Sequence, residues 1–127
     1  MFLEHYNFFV KTQKREQFIP ITEELNSFVK KSGARNGFCK VFIPHTTAAV
    51  TINENADPDV ISDITKLIDE MAPHQLHFLH SEGNSDAHMK SSLLGVSLEI
   101  PIEEGFLGLG QWQGVISANS MVHEREK

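Results

Sequence analysis

Residues 96–117, VSLEIPIEEGFLGLGQWQGVIS, decide the fold class. Val96, Leu98, Ile100 and Ile102 fall on one face, and Ser97, Glu99, Pro101 and Glu103 on the other. Such alternation is the pattern of a half-buried strand. Glu104-Gly105 supplies a turn, and the glycine-punctuated run that follows predicts a second strand pairing back as a hairpin. Sheet built this way is antiparallel, and it can leave one face in water.

Upstream of the hairpin, 85–95 (SDAHMKSSLLG) predicts a short helix, with Asn84 or Ser85 as cap and Gly95 as stop. Asp57-Pro58 predicts another helix start, with Asp as N-cap and Pro at the first helical position. Val60, Ile61, Ile64, Leu67, Ile68 and Met71 then recur at helical spacing up to about Ala72. Strands are expected at 48–53 (AAVTIN) and 37–43 (GFCKVFI), the latter stopping at Pro44. Thr22 is expected to N-cap a helix whose first turn carries acids, whose last turn carries lysines, and which Gly33 ends. QFIPIT predicts a short edge or terminal strand, because Pro20 cannot donate to a ladder. HYNFFVKT, at 5–12, is aromatic and β-prone and predicts a further strand. Interspersed helices and short strands make an α+β chain with mainly antiparallel sheet and about three helices.

The chain has 127 residues, the size of one domain, and no internal repeat or linker divides it. That length buries a core without disulfides or a structural metal. Cys39 is the only cysteine, so an intramolecular disulfide and a four-cysteine zinc cage are excluded. A reducing cytoplasm is the expected compartment. No apolar run approaches the roughly 20 residues that cross a bilayer, and the N-terminus lacks a basic start and a small-residue cleavage site. Neither a membrane nor secretion is expected. The net charge is −6 with no basic stripe, which argues against nucleic acid as a partner. An acidic chain handling phosphorylated substrates needs a divalent metal or well-placed donors to offset repulsion.

Seven histidines suggest where chemistry could lie. His74, His77 and His80 form the run HQLHFLH, whose spacing matches no familiar zinc motif and is read as solvated loop or strand surface. His88 is expected in the first turn of the helix at 85–95, beside Asp86, where free N–H groups favour an anion. The alternative is an exposed side chain on a capped surface helix. The stretch PHTTAAVTINENADPDV, at 44–60, holds the remaining candidates. Asp57 has a capping duty, whereas His45 and Glu54, the latter flanked by Asn53 and Asn55, have no structural duty in the sequence. Trp112, between Gln111 and Gln113, is read as a core anchor or as a stacking platform, the core being the commoner use.

Four blocks, FIPITEELNSFV, PHTTAAVTINENADPDV, HSEGNSDAHMKSSLLG and GLGQWQG, resemble in order the signature blocks of the YjbQ family, whose members are described as secondary thiamine-phosphate synthases. The resemblance covers about Asn7 to Ile116. It implies a single domain over 1–127 with a barrel- or sandwich-like sheet, and a homotrimer with sites near subunit boundaries. The implied substrate is small and phosphorylated. Thiamine-phosphate synthesis joins a pyrimidine diphosphate to a thiazole phosphate and releases diphosphate. By motif position, His45, His88 and Glu54 are the implied catalytic residues. His45, His80 and His88 are the implied ligands for a divalent ion, Mg²⁺ or Zn²⁺. Asn53, Asn55, Asp86, Gln111 and Trp112 are implied substrate contacts, while His74 and His77 fall outside the blocks. Two positions depart from the family pattern. Pro20 replaces an acid, and from about residue 117 the chain ends in SANSMVHEREK, with Asn119 in place of an acid and no final apolar strand. The rival reading is a homotrimer that binds a metal or a phosphorylated ligand without synthase activity. A purely structural protein is the third reading.

Overall fold

A computed structural model describes residues 3–13, 17–74, 78–80 and 84–119. In chain order these form β1 (Gln17–Pro20), α1 (Thr22–Ser32), β2 (Asn36–Phe42), β3 (Ala48–Glu54), α2 (Pro58–Met71), α3 (Ser85–Leu94), β4 (Ser97–Glu103), β5 (Phe106–Leu107) and β6 (Gln113–Asn119). The class is α+β, with two three-stranded antiparallel sheets ordered β1-β6-β3 and β2-β4-β5. No helix among the described residues is long and apolar enough to cross a membrane.

The alternation in β4 holds. Ile100 and Ile102 are buried and their neighbours face out. They join Val41 and Ile43 from the β2 side, Val50 of β3, Val115 of β6, and Ile21, Leu25 and Val29 along α1 in one core between the sheets. Glu104 and Gly105 both have positive φ, as a two-residue primed hairpin turn requires. Only β5 pairs back, however. The run expected as one long strand breaks at 108–112, and β6 crosses to the centre of the other sheet. The break is anchored by Gly108 N–H donating to the Pro101 carbonyl at 2.7 Å, and by Gln113 N–H donating to the Gly110 carbonyl at 3.1 Å.

Two further expectations are corrected. Segment 5–12 is irregular apart from a single bridge at Val10. Its aromatic residues pack on α1 instead: Tyr6 stacks on Phe28 at 4.8 Å, and Phe8 meets the same ring at 5.4 Å. Strand propensity measures a fit to a pleated surface, and here a helix provides the partner. Thr22 is the first helical residue rather than the cap, because its hydroxyl accepts the Val115 N–H at 2.8 Å. That bond ties the start of α1 to the central strand.

The other punctuation is as the sequence predicts. Asp57 accepts the Asp59 N–H at 2.9 Å, Gly33 ends α1 in the left-handed conformation, and β1 is an edge strand. α3 packs on β3, where the Ser91 hydroxyl donates to the Ala48 carbonyl at 2.6 Å. The link after α3 joins the sheets: Val50 N–H donates to the Gly95 carbonyl at 3.0 Å and Ile43 N–H to the Val96 carbonyl at 2.7 Å. These contacts set α3 beside the first residues of β3.

Candidate functional site

The candidate residues fall into two groups, one at each end of β3. At the far end, Glu54 lies opposite Gln113 and Asn53 opposite Gly114 in the β3–β6 register. The Asn55 amide lies directly over Gly114, so closely that a Cβ there would collide with it. Gln111 and Trp112 stand in the turn that leads into β6. Trp112 is 59% exposed, so the core role is excluded within one chain. Its place on the outside of a turn between two sheets explains why.

At the near end lie His45 and α3. Thr47 N–H donates to His45 Nδ1 at 3.1 Å, and the Thr47 hydroxyl lies at 3.1 Å from the same nitrogen. A nitrogen that accepts an N–H must carry a lone pair, which puts the ring proton of neutral His45 on Nε2. His45 is thereby prepared to donate a hydrogen bond from Nε2. On α3, the His88 ring meets the His80 ring edge-on, with centroids 5.2 Å apart.

β3 has seven residues and therefore spans about 20 Å. His45 and Glu54 cannot meet within one chain. Among the described residues, no three His, Cys, Asp or Glu side chains converge as a metal set. His80 and His88 form a pair only, and the tautomer of His45 turns its Nε2 into a donor rather than a ligand. One chain's described residues therefore do not fit a divalent ion, and no step is derived through one. His77 and the C-terminal departure at 120–127 lie outside the described residues. Burial pushes the Cys39 thiol pKa up, away from the reactive thiolate.

Asp86 is buried and does not offer its carboxylate to a substrate. It accepts from His74 Nδ1 at 3.1 Å and lies 3.7 Å from Lys90 Nζ. Lys90 also donates to Asp69 at 2.6 Å. The start of α3 thus already carries a carboxylate in its first turn. The sequence alone places His74 in a solvated loop or strand surface and singles out neither Lys90 nor Asp69. The sequence signal was the i,i+4 spacing of Asp86 and Lys90 on a helix with no other charged residue.

A cavity of about 350 Å³ lies elsewhere, between residues 3–10, α1 and β2. Its lining is mainly apolar and includes none of the candidate residues, so the chemistry is sought at the ends of β3 instead.

The model of the family described as "UPF0047 protein YjbQ-like" matches residues 6–127. The chain belongs to the YjbQ-like UPF0047 family. The UPF0047 protein YugU of Bacillus subtilis is 48% identical over 108 residues, covering 84% of this chain and 81% of that protein. The UPF0047 protein MJ1081 of Methanocaldococcus jannaschii is 45% identical over 113 residues, covering 89% and 82%. Among solved structures, an uncharacterized YjbQ/UPF0047 protein of Clostridium acetobutylicum superposes with a TM-score of 0.90 at 45% identity, covering 94% of this chain and 92% of its own. A protein of unknown function from Sulfolobus solfataricus superposes at 0.89 with 29% identity, covering 94% and 88%. Family members therefore share this fold over nearly their whole length.

Proposed function

We propose that this YjbQ-like protein binds a small phosphorylated ligand in sites shared between the subunits of a homotrimer, and that it acts there as a secondary thiamine-phosphate synthase. The observation that carries the shared site is the separation along β3. Two polar groups, each made of half-buried and exposed side chains rich in donors and acceptors, stand about 20 Å apart on one chain and can join only across a subunit boundary. One subunit would bring His45, His80 and His88. Its neighbour would bring Asn53, Glu54, Asn55, Gln111 and Trp112.

In that arrangement the thiazole nitrogen attacks the methylene carbon of the pyrimidine diphosphate. The C–N bond forms, the C–O bond breaks, and diphosphate leaves with the electron pair. The His45 Nε2–H donates to a phosphate oxygen, and His88 adds a second ring nitrogen at the same end. Trp112 stacks on the pyrimidine, and Glu54 and the two asparagines orient its amino group.

Binding without synthase activity is the second reading. It is favoured by the makeup of the proposed site, which brings no lysine or arginine to neutralise the charge of a departing diphosphate.

One experiment separates these readings. His88→Ala and Glu54→Gln variants are each assayed with the two precursors, and then again after co-expression as mixed trimers. Each variant alone is expected to be inactive, and mixing is expected to restore product, because some interfaces then carry both intact halves. Wild-type protein that forms no product but binds diphosphate by calorimetry would leave the binding reading. Activity in both single variants would overturn the shared site.

A further inference from the structure

The cavity beside residues 3–10 follows the backbone of β2. Its lining takes in seven consecutive residues there, 38–44, and six more at 3–8. Successive side chains of a strand point to opposite faces, so an unbroken run lines a cavity only when the cavity runs along the strand's edge. Val41 is buried while Phe38, Lys40 and Phe42 face out, in keeping with that alternation. Among the described residues, β2 pairs with β4 alone and is therefore an edge strand. Ile43 N–H donates to the Val96 carbonyl, so Cys39 and Val41, in step with Ile43, turn their backbone groups toward β4. Phe38, Lys40 and Phe42 are out of step. Their N–H and C=O groups point along the sheet toward the cavity, and no other described backbone group bonds them. α1 adds Leu25, Phe28 and Val29 to the lining, which is mainly apolar.

We propose that β2 is a docking edge for an extended peptide segment of another protein, which adds a strand to the β2-β4-β5 sheet and inserts alternate apolar side chains into the cavity. The outward backbone groups recur every second residue, a spacing that an incoming strand matches along its whole length. A small apolar molecule in the same place would cut those groups off from water without bonding them, which costs free energy. A second copy of β2 is a poor occupant. Antiparallel pairing centred on Lys40 sets that lysine against its own copy, and a lysine in mid-strand blunts an edge against such pairing. Lys40 meets Glu99 at 3.5 Å on the β4 side, yet its side chain is 80% exposed. On the free side it selects an acid in the incoming strand. Phe38 and Phe42, both largely exposed, select apolar residues on either side of that acid. The recognised segment is thus apolar at every second position toward the cavity, and apolar–acidic–apolar on its other face. None of these residues belongs to the shared site proposed above.

The probe is the peptide Val-Phe-Val-Glu-Val-Phe-Val, blocked at both ends. Its palindromic order brings glutamate opposite Lys40 in either chain direction. Amide hydrogen exchange of the full chain is followed by NMR with and without the peptide. Without it, the N–H groups of Phe38, Lys40 and Phe42 should exchange fast, and those of Cys39 and Val41 slowly. At saturation the three fast amides should slow by roughly tenfold or more. Lys40→Pro removes one outward N–H and no bond to β4, a change that an edge strand accepts. It should weaken peptide binding roughly tenfold with the far-UV circular dichroism unchanged. Lys40→Glu leaves the backbone as it is, and should bind the peptide with lysine in place of glutamate several-fold more tightly than the original. Three amides already slow in the free protein would mean that a subunit contact or this chain itself covers the edge, and would overturn the proposal. Binding that leaves those amides fast would do the same, as the mark of a ligand held by side chains alone. So would a peptide that does not bind, or a folded Lys40→Glu protein that prefers neither peptide.

Discussion

At the scale of single residues, the most constrained candidate is Gly114. It sits in the central strand beneath the Asn55 amide, and any side chain there must push that amide away. Its φ is not in the left-handed region, so alanine is acceptable to the backbone. The collision falls on the end of an exposed side chain that can rotate aside. Gly114→Ala is therefore expected to shift Tm by only a few degrees. It should weaken binding of the pyrimidine diphosphate roughly tenfold, the loss of about one hydrogen bond from Asn55 to the pyrimidine. Calorimetry and thermal melting on the same sample check both parts. A large fall in Tm with unchanged affinity would show that the Asn55–Gly114 contact serves stability alone.

Among elements, α3 carries the sharpest contrast between two ion pairs. Lys90 is buried among Asp86 and Asp69, whereas Lys40 and Glu99 pair at 3.5 Å on the open face of the β2–β4 ladder. Breaking a buried pair leaves a charge without compensation. Lys90→Ala should cost about 3–5 kcal/mol in urea unfolding, against roughly 0–1 kcal/mol for Lys40→Ala. Similar losses for the two would mean that Asp86 is reached by water. The same helix shows what a sequence can and cannot reveal. Its limits, like the Asp57-Pro58 start of α2, the Gly33 stop of α1 and the alternation of β4, depend on neighbours a few residues apart, and they are legible. The choice of β6 to cross between β1 and β3, rather than to extend the hairpin, depends on partners up to a hundred residues away. So does the capture of the Thr22 hydroxyl by Val115. For the candidate site, the residues at 45, 54, 80 and 88 stand out in the sequence by type and motif. Their division between the two ends of β3 follows only from the register, and the His74–Asp86 contact joins positions twelve residues apart that no helical or strand periodicity relates.

Several large apolar side chains of the described residues stand exposed. Phe38, Phe42 and Phe106 stand on the outer face of the β2-β4-β5 sheet, and Leu67 and Met71 on α2. A contiguous patch of such side chains is the kind of surface that a subunit contact covers, as the trimer proposed above requires. Trp112 is the only tryptophan, and in one chain its ring is largely in water. The shared site proposed above would place that ring against the histidine end of a neighbour and shield it from water. Light scattering should therefore give the mass of three chains. Acrylamide should quench the fluorescence of that assembly several-fold less than it quenches the urea-unfolded chain. A mass of one chain overturns the trimer. A trimer whose Trp112 is quenched nearly as strongly as the unfolded chain keeps the assembly but removes Trp112 from the boundary. The β3 far end would then face solvent, and the two polar groups would have to serve separate ligands.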